Sequence, residues 1–409
     1  MKFTTKLLHG NFSPDVKTGA TTTPIYQSTA FRHETAEDLE KIFLGQKPGF
    51  VYTRINNPTI EAFERRLTLL EGGIGAVACA SGMAAVTLAV LNILKSGEEI
   101  VSGSGIFGGT HSLFSGLADF GVTVKYAQDN TVQSFAACIN ERTRALFVET
   151  IGNPKLDIPD IAALAELAHS RQIPLLVDNT VTTPYLVQPI KLGADIVVHS
   201  TSKYINGSGN SIGGIIIDSG RFAWNFEKFS TLKKFSKFGR FVYLAKMRNG
   251  LFKDFGSCIS PFNVYLTAIG LETLGLRVDR ACENAAKLAA SLKENEKVRS
   301  VNYPGLADNP DHELAKRQFA GKYGAVLTIR VGSKEKAFTV INNLKYALNL
   351  ANIGDARTLV IHPASTIYAH NSQEEKENAG VYEDLIRICA GLEDIEDLQT
   401  DFSQALEKI

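Results

Sequence analysis

Lys203 stands in the run Ser200-Thr-Ser-Lys203-Tyr204, just after Asp195-Ile-Val-Val198 and ahead of Gly207-Ser-Gly209, Gly213-Gly214 and Ile215-Ile-Ile217. This pattern predicts a buried strand, a loop that presents one lysine beside hydroxyls, and a second buried strand. A lone lysine is ordinarily solvated surface. At the rim of a core a charged amine is costly unless chemistry uses it. Desolvation lowers an amine's pKa, and a neutral amine is a nucleophile able to form a Schiff base. The neighbouring hydroxyls of Ser200 and Ser202 suit a phosphate. Taken together, these groups point to pyridoxal phosphate held on Lys203.

That cofactor serves as an electron sink only with a carboxylate at its ring nitrogen. Ile173-Pro-Leu-Leu-Val-Asp178 supplies a candidate, an apolar run that ends in an aspartate. Such an aspartate can also cap a turn; next to Lys203 the pairing role is the better reading. Ser81-Gly82-Met83 lies between a predicted buried strand, Gly75 to Ala80, and a predicted helix, Ala84 to Leu94. A strand, a small-residue turn and a helix N-terminus make an anion site. Tyr52 and Arg54 alternate and so point the same way in extended chain, where a phenol and an Arg fork suit a phosphate. Arg387, inside the predicted strand Asp384 to Ile388, needs an anion and is a candidate fork for a carboxylate.

The elements that must position these residues alternate strand and helix from Thr59 onward, which argues for an α/β fold with a mostly parallel sheet. Its site would lie at the strand C-termini. Phe107, Asn153, Asp178 and Lys203 all follow predicted strand ends. Residues 1–60 read as an extended arm without a core of its own, lying on another subunit. Residues 61–259 read as the cofactor-binding α/β domain and 260–409 as a smaller α+β C-terminal domain. The stretch from Arg221 to Ser257 is aromatic and basic, and reads as a flap over the site's entrance rather than an RNA-binding surface. Ser260-Pro261 reads as a helix N-cap followed by proline.

The 43 basic and 43 acidic residues cancel, which argues against nucleic acid or an anionic membrane as the main partner. The five cysteines are scattered and the eight histidines show no ligand spacing, so neither disulfides nor a metal is expected, and a reducing cytoplasm is. No apolar run has the length of a membrane span, and the N-terminus lacks a signal core.

Tyr52-Thr-Arg54, Asn57-Pro-Thr59, Ser81-Gly82-Met83, the Gly-Gly-Thr after Phe107, Val177-Asp178-Asn-Thr and Ser200-Thr-Ser-Lys203-Tyr together resemble the Cys/Met-metabolism pyridoxal-phosphate enzymes of fold type I. The resemblance covers essentially the whole chain. Within that family the Arg221–Ser257 stretch, Ser260-Pro-Phe-Asn263 and Leu350 to Leu359 look most like the O-acetylhomoserine sulfhydrylases. The resemblance implies that Lys203 carries the cofactor and shuttles protons, with Asp178 at the ring nitrogen. It implies that Ser81, Gly82, Met83, Ser200 and Ser202 bind the cofactor, the last four at its phosphate. Tyr52 and Arg54 would reach in from a neighbouring subunit of a homotetramer, a dimer of dimers. Asn153 and Arg387 would hold a substrate carboxylate, and Asn352 stands where related synthases and lyases usually carry serine. Phe107 replaces a usual tyrosine; it can stack on the cofactor ring but offers no hydroxyl, leaving Lys203 or Tyr52 to carry protons.

The implied reaction is γ-replacement, in which sulfide or a small thiol displaces acetate from O-acetyl-L-homoserine to give homocysteine for methionine biosynthesis. The rivals are a cystathionine γ-synthase, a methionine or cystathionine γ-lyase and, from another class, a cofactor-binding protein without catalysis. Acetyl or succinyl substrate, and free sulfide, a thiol or a sulfur-carrier protein as donor, stay open.

Overall fold

Seven strands form the larger sheet, all but the edge strand β3 largely buried: β1 (Gly75–Cys79), β2 (Glu99–Ser102), β3 (Thr123–Tyr126), β4 (Thr143–Glu149), β5 (Leu175–Asp178), β6 (Ile196–Ser200) and β7 (Gly214–Asp218). The structure is a computed structural model that describes residues 1–10 and 18–409; the 11–17 part of the expected arm lies outside the described residues. The strand order is β1-β7-β6-β5-β4-β2-β3. Neighbours from β6 to β3 run parallel, and β7 lies antiparallel to both β6 and β1.

The runs read as continuous apolar stretches because both faces are covered. Val77, Phe147, Leu176, Val198 and Ile216 pack on one side with Val86, Leu88 and Ala89 of a helix. Leu146, Val148, Leu175, Val177, Val197 and Ile217 pack on the other, in a core that continues into a second sheet through Leu327, Ile329, Ile386 and Ile388. That sheet has five strands, β8 (Ser300–Asn302), β9 (Val326–Arg330), β10 (Leu348–Asn349), β11 (Leu359–Ile361) and β12 (Leu385–Cys389), in the order β10-β11-β12-β9-β8. The predicted α/β class, with a mostly parallel large sheet and a smaller α+β part, is what is found.

The arm is less bare than expected. Helix α1 (Phe3–His9) buries Leu7, whose carbonyl accepts from Arg66 Nε at 2.9 Å. Seven residues are too few for a visible period, so α1 leaves no pattern to read. Helix α2 (Ala36–Phe43) is capped by Thr35, whose side chain accepts from Asp38 N, and buries no residue. Helix α3 (Pro58–Glu71) starts behind Asn57, with proline in its first turn, and ends at Gly72 in the left-handed region.

The stretch after Arg221 packs most of its aromatic side chains inward, while Phe238 and Phe241 are exposed. Phe229 is buried, Trp224 stacks on Tyr243 at 5.6 Å, and Phe222, Trp224, Phe226 and Phe235 pack on the same cluster as Val77 and Val86. It shows no single period because a 3₁₀ stretch, Ser230–Phe241, and two short helices, Val242–Asn249 and Leu251–Phe255, share it. Arg248 pins it to helix α3 through Glu64 and to β1 through the Ala76 carbonyl. Ser260 does precede the helix Pro261–Glu272, but its side chain makes no capping bond.

Candidate active site

The candidate residues lie at the ends of four strands of the large sheet and on one strand of the small one. Ser200 closes β6, and Lys203 lies in the turn that follows, held by Lys203 N to the Ser200 carbonyl at 3.4 Å and Gly207 N to the Lys203 carbonyl at 2.8 Å. Lys203 Nζ donates to Asn352 Oδ1 at 2.5 Å. Burial, and next the charge of Arg387, hold the Lys203 amine below its ordinary value, as expected of an amine at the core rim. Tyr204 backs the turn: its hydroxyl lies 3.2 Å from Cys389 Sγ.

Arg387 leaves β12 almost fully buried. It donates from Nη1 to Asn153 Oδ1 and from Nη2 to the Asn352 carbonyl, each at 3.0 Å. Two of its five N–H groups are so engaged, and the rest can take a carboxylate. Asn153 itself follows β4, ahead of a cis bond to Pro154.

Asp178 ends β5, half-buried, with Oδ1 accepting from Thr180 N at 2.9 Å. Burial raises its pKa, while the bonds from Thr180 and the charge of His199 oppose that. Thr180 also accepts from Ser200 N at 2.8 Å, so the ends of β5 and β6 are tied through one hydroxyl.

The turn after β1 meets the turn after β6 without spare room. Helix α4 (Gly82–Leu91) begins behind Ser81, whose Oγ accepts from Ala84 N at 3.1 Å. A Cβ on Gly82 would come within 2.5 Å of Ser200 Cβ, so glycine alone allows this approach. The main-chain N–H groups that open α4 and the Ser200 hydroxyl thereby converge as a cradle for a phosphate. Ser202 is engaged differently: its Oγ donates to the Gly213 carbonyl at 3.2 Å and accepts from Gly213 N at 3.0 Å. A half-buried lysine of lowered pKa, a carboxylate at the next strand end and this cradle fit pyridoxal phosphate.

Phe107 precedes helix α5 (Gly108–Gly116), with its ring over Gly109, where a Cβ would lie 2.5 Å from it. Its N–H donates to Glu149 Oε1 at 2.6 Å. Glu149, the last residue of β4, is thereby tied to Phe107 and is not among the candidates picked out from the sequence. The available signal is an acidic side chain closing an otherwise apolar strand, the same signal that marks Asp178.

Tyr52 and Arg54 are not brought to Lys203 within one chain. Both are exposed; Tyr52 bridges Ala30, and Arg54 Nη1 donates to the Lys253 carbonyl at 2.5 Å. Among the described residues no group of His, Cys, Asp and Glu could hold a metal, and no helix is long and apolar enough to cross a membrane.

Comparison with known proteins gives the family. The family described as Cys/Met metabolism PLP-dependent enzyme matches residues 4–407. A homocysteine synthase of Schizosaccharomyces pombe is 42% identical, over 99% of this chain and 98% of its own. An O-acetyl-L-homoserine sulfhydrylase of Leptospira meyeri is 41% identical, over 98% of this chain and 96% of its own. The solved O-acetylhomoserine (thiol)-lyase of Campylobacter jejuni, which carries N'-pyridoxyl-lysine-5'-monophosphate, superposes with a TM-score of 0.95 at 33% identity over 100% of both chains. With its lysine, strand-end aspartate and phosphate cradle in place, the chain belongs to the Cys/Met metabolism pyridoxal-phosphate-dependent enzymes.

Proposed function

We propose that this chain is an O-acetylhomoserine sulfhydrylase, which replaces the acetate of O-acetyl-L-homoserine by sulfide or a small thiol and yields homocysteine for methionine biosynthesis. The observation that carries the reading is the meeting of Lys203 and Arg387 at Asn352, with one arm of that residue on each. It places a proton-transfer group beside a carboxylate fork, as an α-amino acid substrate requires. The names of the relatives supply the reaction class.

In this reading Lys203 carries the cofactor, Asp178 faces its ring nitrogen, and Phe107 stacks on its ring. Ser81, Gly82, Met83, Ser200 and Ser202 bind it, the last four at the phosphate. Bound pyridoxal phosphate supplies the electron sink that lets protons leave the substrate's α- and β-carbons. Arg387 and Asn153 fix the substrate carboxylate, which aims the α-hydrogen at Lys203 Nζ. Its lowered pKa makes the Lys203 amine a readier acceptor of that proton, while Asn352 Oδ1 holds the amine in place. Lys203 or Tyr52 carries the further protons, since Phe107 has no hydroxyl.

Tyr52 and Arg54 serve the phosphate of a neighbouring subunit in a homotetramer. In support, the arm exposes Ile25, Tyr26, Leu39, Phe43, Leu44 and Tyr52. The reading keeps the division into an arm to residue 60, a cofactor domain to 259 and a C-terminal domain beyond. Five free cysteines suit a cytoplasmic enzyme.

The test is a steady-state comparison. O-acetyl-L-homoserine with sulfide should give homocysteine faster than O-succinyl-L-homoserine does, and faster than methionine or cystathionine is cleaved. Faster release of 2-oxobutanoate from methionine would replace this reading with a γ-lyase.

A further inference from the structure

Glu149 and Asp178 close neighbouring parallel strands and are partners in register. Partners in register point to the same face of a sheet, about 5 Å apart. Two carboxylates therefore stand side by side at the mouth of the site. Glu149 is buried, and its Oε1 accepts from Phe107 N at 2.6 Å. Phe107 is the residue ahead of α5 and has no side-chain cap bond, so the Glu149 contact fixes its main chain from the sheet side. Tyr368, whose hydroxyl donates to the Ile106 carbonyl at 3.2 Å, fixes it from the other.

We propose that Glu149 is a positioning residue, which holds the Phe107 main chain so that the ring lies over the cofactor, and that it does so as a neutral carboxylic acid. The inference rests on the cofactor reading above. Like charges this close cannot both ionise cheaply. Asp178 takes the bonds of Thr180 and feels the charge of His199, both of which favour its anion. Glu149 takes one amide, and burial first and the charge of Asp178 next push its pKa well above the carboxylate range, Asp157 adding to both. The proton therefore stays on Glu149 and the negative charge on Asp178, where a pyridinium N–H needs it. A neutral carboxyl loses nothing by this, since Phe107 N–H requires only its carbonyl oxygen.

The test is a double-mutant cycle on the dissociation constant of pyridoxal phosphate, read from the visible absorbance of wild type, Glu149→Gln, Glu149→Ala, Phe107→Ala and Glu149→Ala/Phe107→Ala. Glu149→Gln keeps the acceptor and the neutrality, and should bind within about threefold of wild type. Glu149→Ala should weaken binding about tenfold, and the double variant should bind no worse than Phe107→Ala alone, because residues acting through one contact are not additive. Additive losses, or a Glu149→Gln variant as weak as Glu149→Ala, would overturn the proposal. Should Glu149→Ala not fold, Glu149→Asp takes its place in the cycle, being too short to reach Phe107 N. A wild-type protein that binds no pyridoxal phosphate would instead sink the cofactor reading, and this proposal with it.

Discussion

Lys203 Nζ and Asn352 Oδ1 form a 2.5 Å hydrogen bond that joins the turn after β6 to the loop between β10 and β11. A carbonyl acceptor favours the ammonium form, so Asn352 opposes the burial and the Arg387 charge that lower the Lys203 pKa.

Exchanging that acceptor should move the lysine in a known direction. In Asn352→Asp a carboxylate replaces the amide, and the Lys203 pKa should rise by roughly one unit or more. In Asn352→Ala it should fall. The pH at which apoenzyme regains its visible band at half the maximal rate reports the change. No difference in either variant would mean that the contact carries no weight.

Phe107 removes a hydroxyl from the place where a positioned acid or base would serve elimination. Such a group contributes about 10²–10⁴-fold. Phe107→Tyr should therefore raise release of 2-oxobutanoate from O-acetyl-L-homoserine relative to homocysteine formation. The ratio of the two products, measured at saturating sulfide, checks this.

Arg54 and Tyr52 are exposed, and neither bonds to its own chain's lysine. Arg54→Ala and Lys203→Ala should each be inactive alone. Mixed and allowed to exchange subunits, they should recover part of the activity through hybrid pairs with one intact site. Full activity in a monomer by sedimentation would contradict shared sites.

Asp218 gives a pH effect distant from the chemistry. It is buried, and desolvation pushes its carboxyl from 3.8 up to about 7. Between those values the folded state holds a proton that the unfolded chain releases, so stability falls as pH rises through that window. The loss is complete above it, and each tenfold difference in proton affinity between folded and unfolded chain costs about 1.4 kcal/mol. Asp218→Asn should raise the melting temperature at about pH 8 and lose that advantage towards about pH 4. Equal gains at both values would assign the effect to packing.

The parts of the fold legible in the sequence are those with a period or an abrupt change of polarity. The strand predicted from Asp384 to Ile388 is found at Leu385–Cys389, one residue on. Arg387 is legible because it interrupts an apolar run, Asp178 because it ends one, and Lys203 because it stands among hydroxyls in a loop between two apolar runs. Helix α4 begins at Gly82, two residues ahead of its predicted start, because Ser81 caps it and glycine is a poor helix signal. Glu149 stays hidden because its partner is a main-chain amide forty-odd residues away, which no local pattern marks. The place of Tyr52 and Arg54 depends on a second copy, so their spacing can name them but not their site.

Arg387 grips Asn153 across the line where the five-stranded sheet meets the seven-stranded one. A substrate held by that guanidinium and worked on by Lys203 becomes a cross-brace between two sheets drawn from distant parts of the chain. Its arrival should then be felt mechanically: amide exchange slows together at the ends of β4 and β12, while strands far from the seam exchange as before.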